Sequence, residues 1–181
     1  SLGDLDGDGL LDLVAMGNRL HAWAKGGTGS FGVLFEDEPT VFARPLRQLN
    51  GLDTLDLDGD GNLDVVTSAR VHGLFVKWGT GFGSFAPLEK LEGGFGDRVR
   101  GIEVHDVDGD GLEDLVIQAD DLTVVWQRVS AGGVLEAPIP IVSTPGPSTF
   151  PKLVDLDGDG DLDLLEASRT ANSVRAYSQQ S

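Results

Sequence analysis

The stretch DLDGDGLLD, from Asp4 to Asp12, stands at the start of a chain of 181 residues and returns three times in nearly the same form. The other copies begin at Asp56, Asp106 and Asp155, so successive copies start 52, 50 and 49 residues apart. All four fit the pattern D-x-D-G-D-G-x-x-D. A nine-residue acidic pattern on a nearly even period indicates tandem structural repeats that each carry the same loop.

The segments between the loops have the composition of β-strands. Each loop is followed by a short apolar run, such as Val65–Thr67 or Leu115–Ile117, and then by a segment that ends in an aromatic residue. These aromatic residues are Trp23, Trp78, Trp126 and Tyr177. The runs are rich in Val, Leu and aromatic residues and are bounded by Gly, Asp, Asn or Pro, which is typical of strands. None shows the 3.6-residue apolar period of a helix.

The length of the repeat predicts the architecture. About four short strands fit into each repeat, and four-stranded units of ~40–50 residues are typical of β-propeller blades. The pattern predicts three, four, four and three strands in the successive repeats, or roughly 3.5–4 blades. We therefore expect an all-β fold with a single propeller region over residues 1–181 that forms an arc of a larger propeller. A self-closed four-blade ring that lacks two strands is the alternative.

The repeated loop has the chemistry of a metal site. Aspartates at positions 1, 3 and 5 direct alternate carboxylates toward one point, and the aspartate at position 9 closes the shell. Glycines at positions 4 and 6 allow backbone conformations that other residues avoid. Oxygen donors suit a hard cation, and calcium fits better than magnesium, which keeps more water and demands stricter octahedral geometry. The alternative, a set of solvated acidic turns, would leave close like charges uncompensated.

An EF-hand is the competing interpretation of the fourth loop. Residues Asp155–Glu166 match the EF-hand pattern in full. The other three loops lack the glutamate, and the prolines before the fourth loop exclude an entering helix. The replacing residues are Ala15, Thr67 and Ile117, and the helix-breaking residues are Pro145, Gly146, Pro147 and Pro151. The match therefore depends on Glu166 alone.

Composition narrows the possible partners. The chain has 30 acidic and 13 basic residues, a formal charge of -17 and no cysteine. A nucleic-acid partner needs clustered Lys and Arg, and an anionic membrane surface does too. No apolar run approaches the roughly 20 residues of a membrane-spanning helix. We therefore expect neither nucleic-acid binding nor direct membrane insertion, and bound divalent cations would offset part of the negative charge.

The sequence carries no recognisable catalytic motif. His21, His72 and His105 fall at unrelated positions in the repeats, and no G-x-S-x-G elbow is present. The glycine-rich stretch Lys25–Ser30 lacks the G-K-[ST] ending of a phosphate-binding loop. Paired carboxylates for glycoside hydrolysis occur only inside the acidic loops. We expect a protein that is not an enzyme.

The four loops resemble the calcium loops of FG-GAP/VCBS repeats, which build the integrin-α-type β-propeller. Two further stretches, Gly29–Gly32 and Gly83–Pro87, resemble the Gly-x-Phe-x-Pro ending of that repeat. The resemblance implies about four calcium ions, each in the hairpin between the first two strands of a blade. The implied ligands are the carboxylates of positions 1, 3, 5 and 9 and the carbonyl of position 7. They are Asp4, Asp6, Asp8, Leu10 and Asp12; Asp56, Asp58, Asp60, Asn62 and Asp64; Asp106, Asp108, Asp110, Leu112 and Asp114; and Asp155, Asp157, Asp159, Asp161 and Asp163.

The resemblance also implies a function, which rests partly on analogy of fold. We expect a non-catalytic scaffold for adhesion or for protein or glycan recognition that is extracellular, at the cell surface or periplasmic. Two alternatives stay open: the propeller part of a carbohydrate-active enzyme such as a polysaccharide lyase, and a structural subunit whose blade edges are covered by other chains or further blades. Ligand contacts are expected on the connections that vary among repeats: Glu36–Gln48, Gly93–Arg100 and Ser143–Phe150.

Overall fold

The computed structural model describes residues 1–16, 19–27, 29–37, 49–69, 72–119, 123–143, 152–168 and 172–178. Within these ranges the fold is all-β, as expected, and contains no helix. No helix in the described part of the chain is long and apolar enough to cross a membrane. The strands form separate antiparallel sheets, three of which have four strands, in an arc of tandem repeats rather than one closed sheet.

Each four-stranded sheet, and the last three-stranded one, is called a blade. The first blade contains β1 (Leu2–Gly3), β2 (Asp12–Met16), β3 (Leu20–Lys25) and β4 (Phe31–Asp37). The second blade contains β5 (Leu49–Leu55), β6 (Asp64–Ala69) and β7 (Gly73–Lys77); after a small hairpin of β8 (Gly79–Gly81) and β9 (Ser84–Phe85), β10 (Glu89–Leu91) completes it.

The third blade repeats the plan of the second, and the fourth is shorter. The third contains β11 (Val99–His105), β12 (Asp114–Ala119) and β13 (Thr123–Gln127); the small hairpin of β14 (Val129–Ser130) and β15 (Val134–Leu135) precedes its last strand, β16 (Ile139–Ser143). The fourth contains β17 (Lys152–Val154), β18 (Asp163–Ser168) and β19 (Ser173–Tyr177).

All four acidic loops occupy the same place in this topology. Each loop connects the first two strands of its blade, and its last aspartate is the first residue of the second strand. That aspartate pairs with the residue just before the loop, in the pairs Gly3–Asp12, Leu55–Asp64, His105–Asp114 and Val154–Asp163. Because the register is the same in every blade, the loops are equivalent hairpin turns.

Apolar side chains join neighbouring blades. Val14, Leu20 and Ala22 of the first blade form a buried cluster with Val65 of the second. A larger cluster between the second and third blades includes Leu55, Leu115 and Ile117. Close approach of the inner strands requires a residue without a side chain at Gly51, where a Cβ atom would lie 2.8 Å from Cγ1 of Ile102. This packing places the acidic hairpins of successive blades side by side.

The structure differs from the sequence expectations in two respects. The count of three, four, four and three strands is wrong for the first repeat, because Leu2–Gly3 pairs with β2 as a fourth strand. The aromatic residues are also not equivalent: Trp23 and Tyr177 pair with the residue after the last loop aspartate, whereas Trp126 pairs one residue later and faces the other side of its sheet.

Candidate metal centres

The ninth-position aspartates are buried and fasten the loops to the sheets. The exposed fractions of Asp12, Asp64, Asp114 and Asp163 are 0%, 0%, 0% and 1%. In each loop the Oδ2 atom accepts a hydrogen bond from the backbone N–H of position 2, as in the 2.9 Å bond from Leu57 to Asp64. In the first three blades Oδ1 accepts a second bond from the N–H group just beyond the third strand or at its end, as in the 2.7 Å bond from Gly79 to Asp64. In these three blades, one carboxylate therefore links the loop by hydrogen bonds to the end of the third strand.

The remaining loop geometry curls the backbone around the first aspartate. The glycines at positions 4 and 6 all have left-handed φ angles, between 74° and 94°. This conformation turns the N–H of position 6 toward the first aspartate, as in the 2.8 Å bond from Gly61 to Asp56 Oδ2. The alternation of aspartate and glycine in the sequence is thus the local condition for this loop.

Three carboxylates converge in every loop. Their nearest oxygen atoms lie within 4.8 Å of one another in the groups Asp4, Asp6 and Asp8; Asp56, Asp58 and Asp64; Asp106, Asp108 and Asp114; and Asp155, Asp157 and Asp163. Two oxygen ligands of a calcium ion at 2.3–2.6 Å can lie at most about 5 Å apart, so the spacing fits a shared ion. The donor set is all oxygen, which suits a hard cation. These four Asp-rich groups, one per repeat, can hold metal ions.

The structure does not bring every expected ligand into these groups. The fifth-position aspartate belongs to the group only in the first loop, and the ninth-position aspartate only in the other three. In all four loops the fifth-position carboxylate accepts a bond from the N–H of position 7, as in the 2.8 Å bond from Asn62 to Asp60, which lies outside the group of its loop. Coordination by the carbonyl groups of Leu10, Asn62, Leu112 and Asp161 stays a prediction, as does the full ligand set.

The electrostatics of the loops favour uptake of positive charge. Burial raises the pKa of Asp64 to about 6, although hydrogen bonds from Gly79 and Leu57 partly oppose the shift. Burial likewise raises the pKa of Asp6 and Asp114. The pKa of Asp157 is raised chiefly by the charge of Asp159. A divalent cation among these groups would relieve the repulsion between the carboxylates.

The EF-hand interpretation is excluded for the fourth loop. β17 precedes this loop and β18 follows it, so strands stand where an EF-hand needs helices. Glu166 lies on β18 with an exposed fraction of 1%, and the hydroxyl of Tyr177 lies 3.4 Å from its Oε2 atom. Glu166 is thus a residue of the second strand of the fourth blade rather than a loop residue.

Sequence reasoning missed the contact between each of the first two loops and the small hairpin of the following blade. The tip of the β8–β9 hairpin approaches the first loop, where a Cβ atom on Gly83 would lie 3.1 Å from Cβ of Asp6. The tip of the β14–β15 hairpin approaches the second loop, and the N–H of Gly132 donates to the carbonyl of Asp58 at 2.9 Å. The glycines of these hairpins were the available signal, but their target was not readable from the sequence.

Arg128 makes a second contact with a loop that the loop motif does not reveal. Its Nε atom lies 2.6 Å from Oδ2 of Asp108, and its Nη2 atom donates to Oδ2 of Asp110 at 2.9 Å. The third loop therefore has a guanidinium group against two of its predicted metal ligands. A basic residue directly after the third strand was the only signal in the sequence.

A cavity of about 340 Å³ lies between the third and fourth blades and is lined by Trp126, Leu164 and Tyr177, among others. In the two preceding blade interfaces, the side chains of Phe85 and Leu135 from the small hairpins pack against the corresponding apolar clusters. The cavity thus lies at the interface position that a small-hairpin side chain fills between the preceding blades. Its lining is mainly apolar, like the clusters at those two interfaces.

The described residues include only part of the variable connections. Residues 38–48 and 144–150 of the predicted binding segments Glu36–Gln48 and Ser143–Phe150 lie outside the described residues. The connection Gly93–Arg100 is described: Phe95 and Val99 are buried in the cluster between the second and third blades. Lys90 pairs with Asp97 of this connection at 2.7 Å.

Comparison with solved structures shows the same fold in larger proteins. An Agrocybe aegerita lectin that recognises non-reducing terminal N-acetylglucosamine matches with a TM-score of 0.67 and 20% identity over 92% of this chain. The V. cholerae biofilm matrix protein Bap1 matches with a TM-score of 0.52 and 19% identity over 97% of this chain. The chain spans 45% of the first protein and 26% of the second.

Sequence comparison identifies the repeat itself. No curated protein matches the chain. The description of the FG-GAP-like repeat, however, matches three overlapping segments at residues 4–67, 56–117 and 106–166, each of which runs from one acidic loop past the next. These segments together include all four loops and most of the chain, so the protein belongs to the FG-GAP-like repeat family.

Proposed function

We propose that this chain is a calcium-stabilised propeller scaffold that recognises a glycan or a protein outside the cytoplasm and has no catalytic activity. The observation that carries the proposal is the recurrence of one carboxylate group at the same hairpin of all four blades. An isolated acidic turn has many explanations, but four equivalent turns with the same left-handed glycines are a built feature of the repeat. Their all-oxygen donor sets favour calcium.

The solved structures of the same fold support recognition as the role. One is a lectin specific for terminal N-acetylglucosamine, and the other is a biofilm matrix protein. Sequence identities near 20% indicate a shared fold but do not identify a shared ligand. The choice between a glycan and a protein partner therefore rests on experiment. Loops on a rigid scaffold commonly bear binding contacts, which agrees with a structural role for the metal and a binding role for the variable connections.

Two measurements test this function. Thermal melting of the metal-stripped protein should shift upward on addition of calcium, because an ion that binds only the folded state stabilises it by about 2.7 kcal/mol per site at a hundredfold excess over Kd. Binding to a glycan array that includes terminal N-acetylglucosamine should require calcium. An unchanged melting temperature would refute calcium stabilisation, and a calcium-replete protein that binds no glycan would leave a protein partner as the surviving form of the proposal.

A second candidate, a structural unit within a larger assembly, has its own support. The first blade exposes the apolar side chains of Leu2, Leu13 and Val33 on the face that points away from the second blade. The fourth blade exposes Val154 and Val174. Val65 is the equivalent of Leu13 in the second blade, and Val124 is the equivalent of Val174 in the third. Both are fully buried between blades. Further blades or other chains would cover these two faces, and measurement of the mass of the protein in solution would test self-association.

A further inference from the structure

The four acidic loops are not electrostatically equivalent, because the third has a cation of its own. Arg128 follows β13, and its guanidinium group contacts Asp108 and Asp110 of the loop in the same blade. A third carboxylate, Glu136, lies 3.9 Å from its Nη1 atom. The hydrogen bond with Asp110 and the charge of Asp108 both raise the pKa of Arg128. The third loop therefore has part of its negative charge compensated without a metal.

The repeat provides an internal comparison for this position. The ninth-position aspartate accepts a hydrogen bond from Lys25, Gly79 or Val129 in the first three blades, so the residue just before each of these is equivalent. These residues are Ala24, Trp78 and Arg128. In the fourth blade, the pairing of Leu164 with Tyr177 places Ser178 at this position. A cation at this place is thus a property of the third repeat alone.

We propose that Arg128 makes the third loop a self-compensated metal site, which binds calcium more weakly than the other three and keeps its shape when calcium is removed. The inference rests on the proposed calcium binding of the loops. Asp108 belongs to the carboxylate group that can hold the ion, so a calcium ion there must approach within a few ångströms of the guanidinium group. Like charges at that separation repel, and binding requires either that repulsion or displacement of Arg128.

The same contact has the opposite effect on the metal-free protein. Without an ion, the aspartates of the other loops repel one another, whereas Arg128 holds Asp108 and Asp110 in place. The third loop is therefore the one that calcium removal disturbs least. The four sites should fill in sequence as calcium rises, with the third site last, rather than together.

A site-resolved calcium titration of the whole chain tests this inference. The sixth-position glycines Gly9, Gly61, Gly111 and Gly160 each donate a backbone N–H to the first aspartate of their own loop, so their amide resonances report the four sites separately. In the wild-type protein, the Gly111 signal should reach its midpoint at a free calcium concentration at least about tenfold above the others. The Arg128→Gln variant should bring the Gly111 midpoint down to theirs.

Matched variants separate this role from a general effect of charge. Arg19→Gln removes an arginine that pairs with Glu36 in the first blade, and should leave all four midpoints unchanged. Ala24→Arg places a guanidinium group at the equivalent position of the first repeat, and should raise the Gly9 midpoint. In chelator, Arg128→Gln should melt below the wild type, whereas in saturating calcium the difference should vanish or reverse.

The outcomes are distinguishable. Equal midpoints for the four glycines in the wild type, or a Gly111 midpoint that Arg128→Gln does not change, would overturn the role of Arg128 while calcium binding itself stands. If none of the four glycines responds to calcium, the proposed calcium function fails and this inference fails with it. A lower melting temperature of Arg128→Gln in both chelator and calcium would show a merely structural ion pair, and would also overturn the inference.

Discussion

At the scale of single residues, the ninth-position aspartates do two things that a motif cannot distinguish. Their carboxylates belong to the candidate metal groups in three loops, yet they are also buried acceptors of backbone hydrogen bonds. Asp64 shows both: it groups with Asp56 and Asp58 and accepts bonds from Leu57 and Gly79. The second task does not involve a metal, so it should contribute to stability in its absence.

We therefore predict that Asp64→Asn destabilises the protein even in excess chelator. The amide nitrogen of asparagine cannot accept the hydrogen bond that one carboxylate oxygen accepts now, and a buried backbone N–H loses its partner, at a cost of about 1–3 kcal/mol. Chemical denaturation of the chelated variant gives the free energy of unfolding. The control is Asp60→Asn in the same loop, an exposed position that should change the metal-free stability little. Equal losses in the two variants would contradict the prediction.

Phe82 is an unusual residue because it is strained and buries almost nothing. It lies at the tip of the β8–β9 hairpin with a φ of 53° and an exposed fraction of 95%. A side chain in this left-handed region costs roughly 1 kcal/mol that glycine avoids. The equivalent tip in the third blade has Gly132, with a φ of 80°. The hairpin geometry thus does not require a phenylalanine.

Replacement of Phe82 by glycine should stabilise the protein by about 0.5–1 kcal/mol, since it removes the strain and loses no packing. Phe82→Ala is the matched control: it removes the ring but keeps the strained backbone, so its stability should stay near that of the wild type. The measurement is the denaturation midpoint of both variants in calcium. A loss of stability in Phe82→Gly would mean that the ring makes a contact important for folding.

At the scale of elements, the small hairpins connect one repeat to the loop of the preceding one. The β14–β15 hairpin lies against Trp78 and Asp58 of the second blade, and the β8–β9 hairpin lies against Asp6 of the first. Each of the first two acidic loops is therefore supported by a segment about 75 residues further along the chain. This arrangement couples the loops of neighbouring blades mechanically, and it depends on glycine at the point of contact.

We predict that Gly133→Ala weakens the interface between the second and third blades. A Cβ atom there would lie 2.7 Å from Cη2 of Trp78, so the indole or the hairpin must move, at a cost of about 1–3 kcal/mol. Gly132→Ala separates this clash from backbone strain: Gly132 also has a positive φ, but among the described residues nothing lies within 4 Å of the position that its Cβ atom would occupy. Thermal melting should show the larger loss for Gly133→Ala, and equal losses would attribute the effect to backbone strain alone.

At the scale of the whole molecule, stability reflects a strong excess of negative charge. The chain has a formal charge of -17, and much of that charge is concentrated in the four loops. In the metal-free protein, the raised pKa of Asp64, to about 6, means that the folded state binds a proton more tightly than the unfolded chain does. This contribution to stability is complete below the unfolded pKa of about 4 and is lost as the pH rises through about 6.

The chelated protein should therefore melt at a higher temperature at about pH 5 than at about pH 7.5, and the stabilisation by calcium should be larger at the higher pH. Because protons and calcium compete for the same carboxylates, a rise in pH lowers the stability of the chelated protein but increases the stabilisation that calcium adds. Calorimetric melting at the two pH values, with and without calcium, measures both. In the Asp64→Asn variant the pH dependence of the chelated protein should be reduced. A chelated wild type that is less stable at the lower pH would contradict the prediction.

The sequence by itself determined the repeat, the strand-based architecture and the place of the four loops. These features follow from local chemistry: the D-x-D-G-D-G-x-x-D pattern sets the loop through left-handed glycines, as at Gly59 and Gly61, and short Val- and Leu-rich runs favour strands. The burial of the ninth-position aspartates inside the sheet could not be predicted, because it depends on hydrogen bonds from strands paired only in the fold.

Only the tertiary structure decided which residues meet across repeats and across a blade. The aromatic residues that look equivalent in sequence lie on different faces, because their positions relative to the strand pairing differ by one residue and a shift of one residue reverses the face of a strand. Arg128 reaches Asp108 and Asp110 because strand pairing brings the end of β13 beside the loop. Contacts of this kind join residues that are far apart in the chain, and no local pattern in the sequence encodes them.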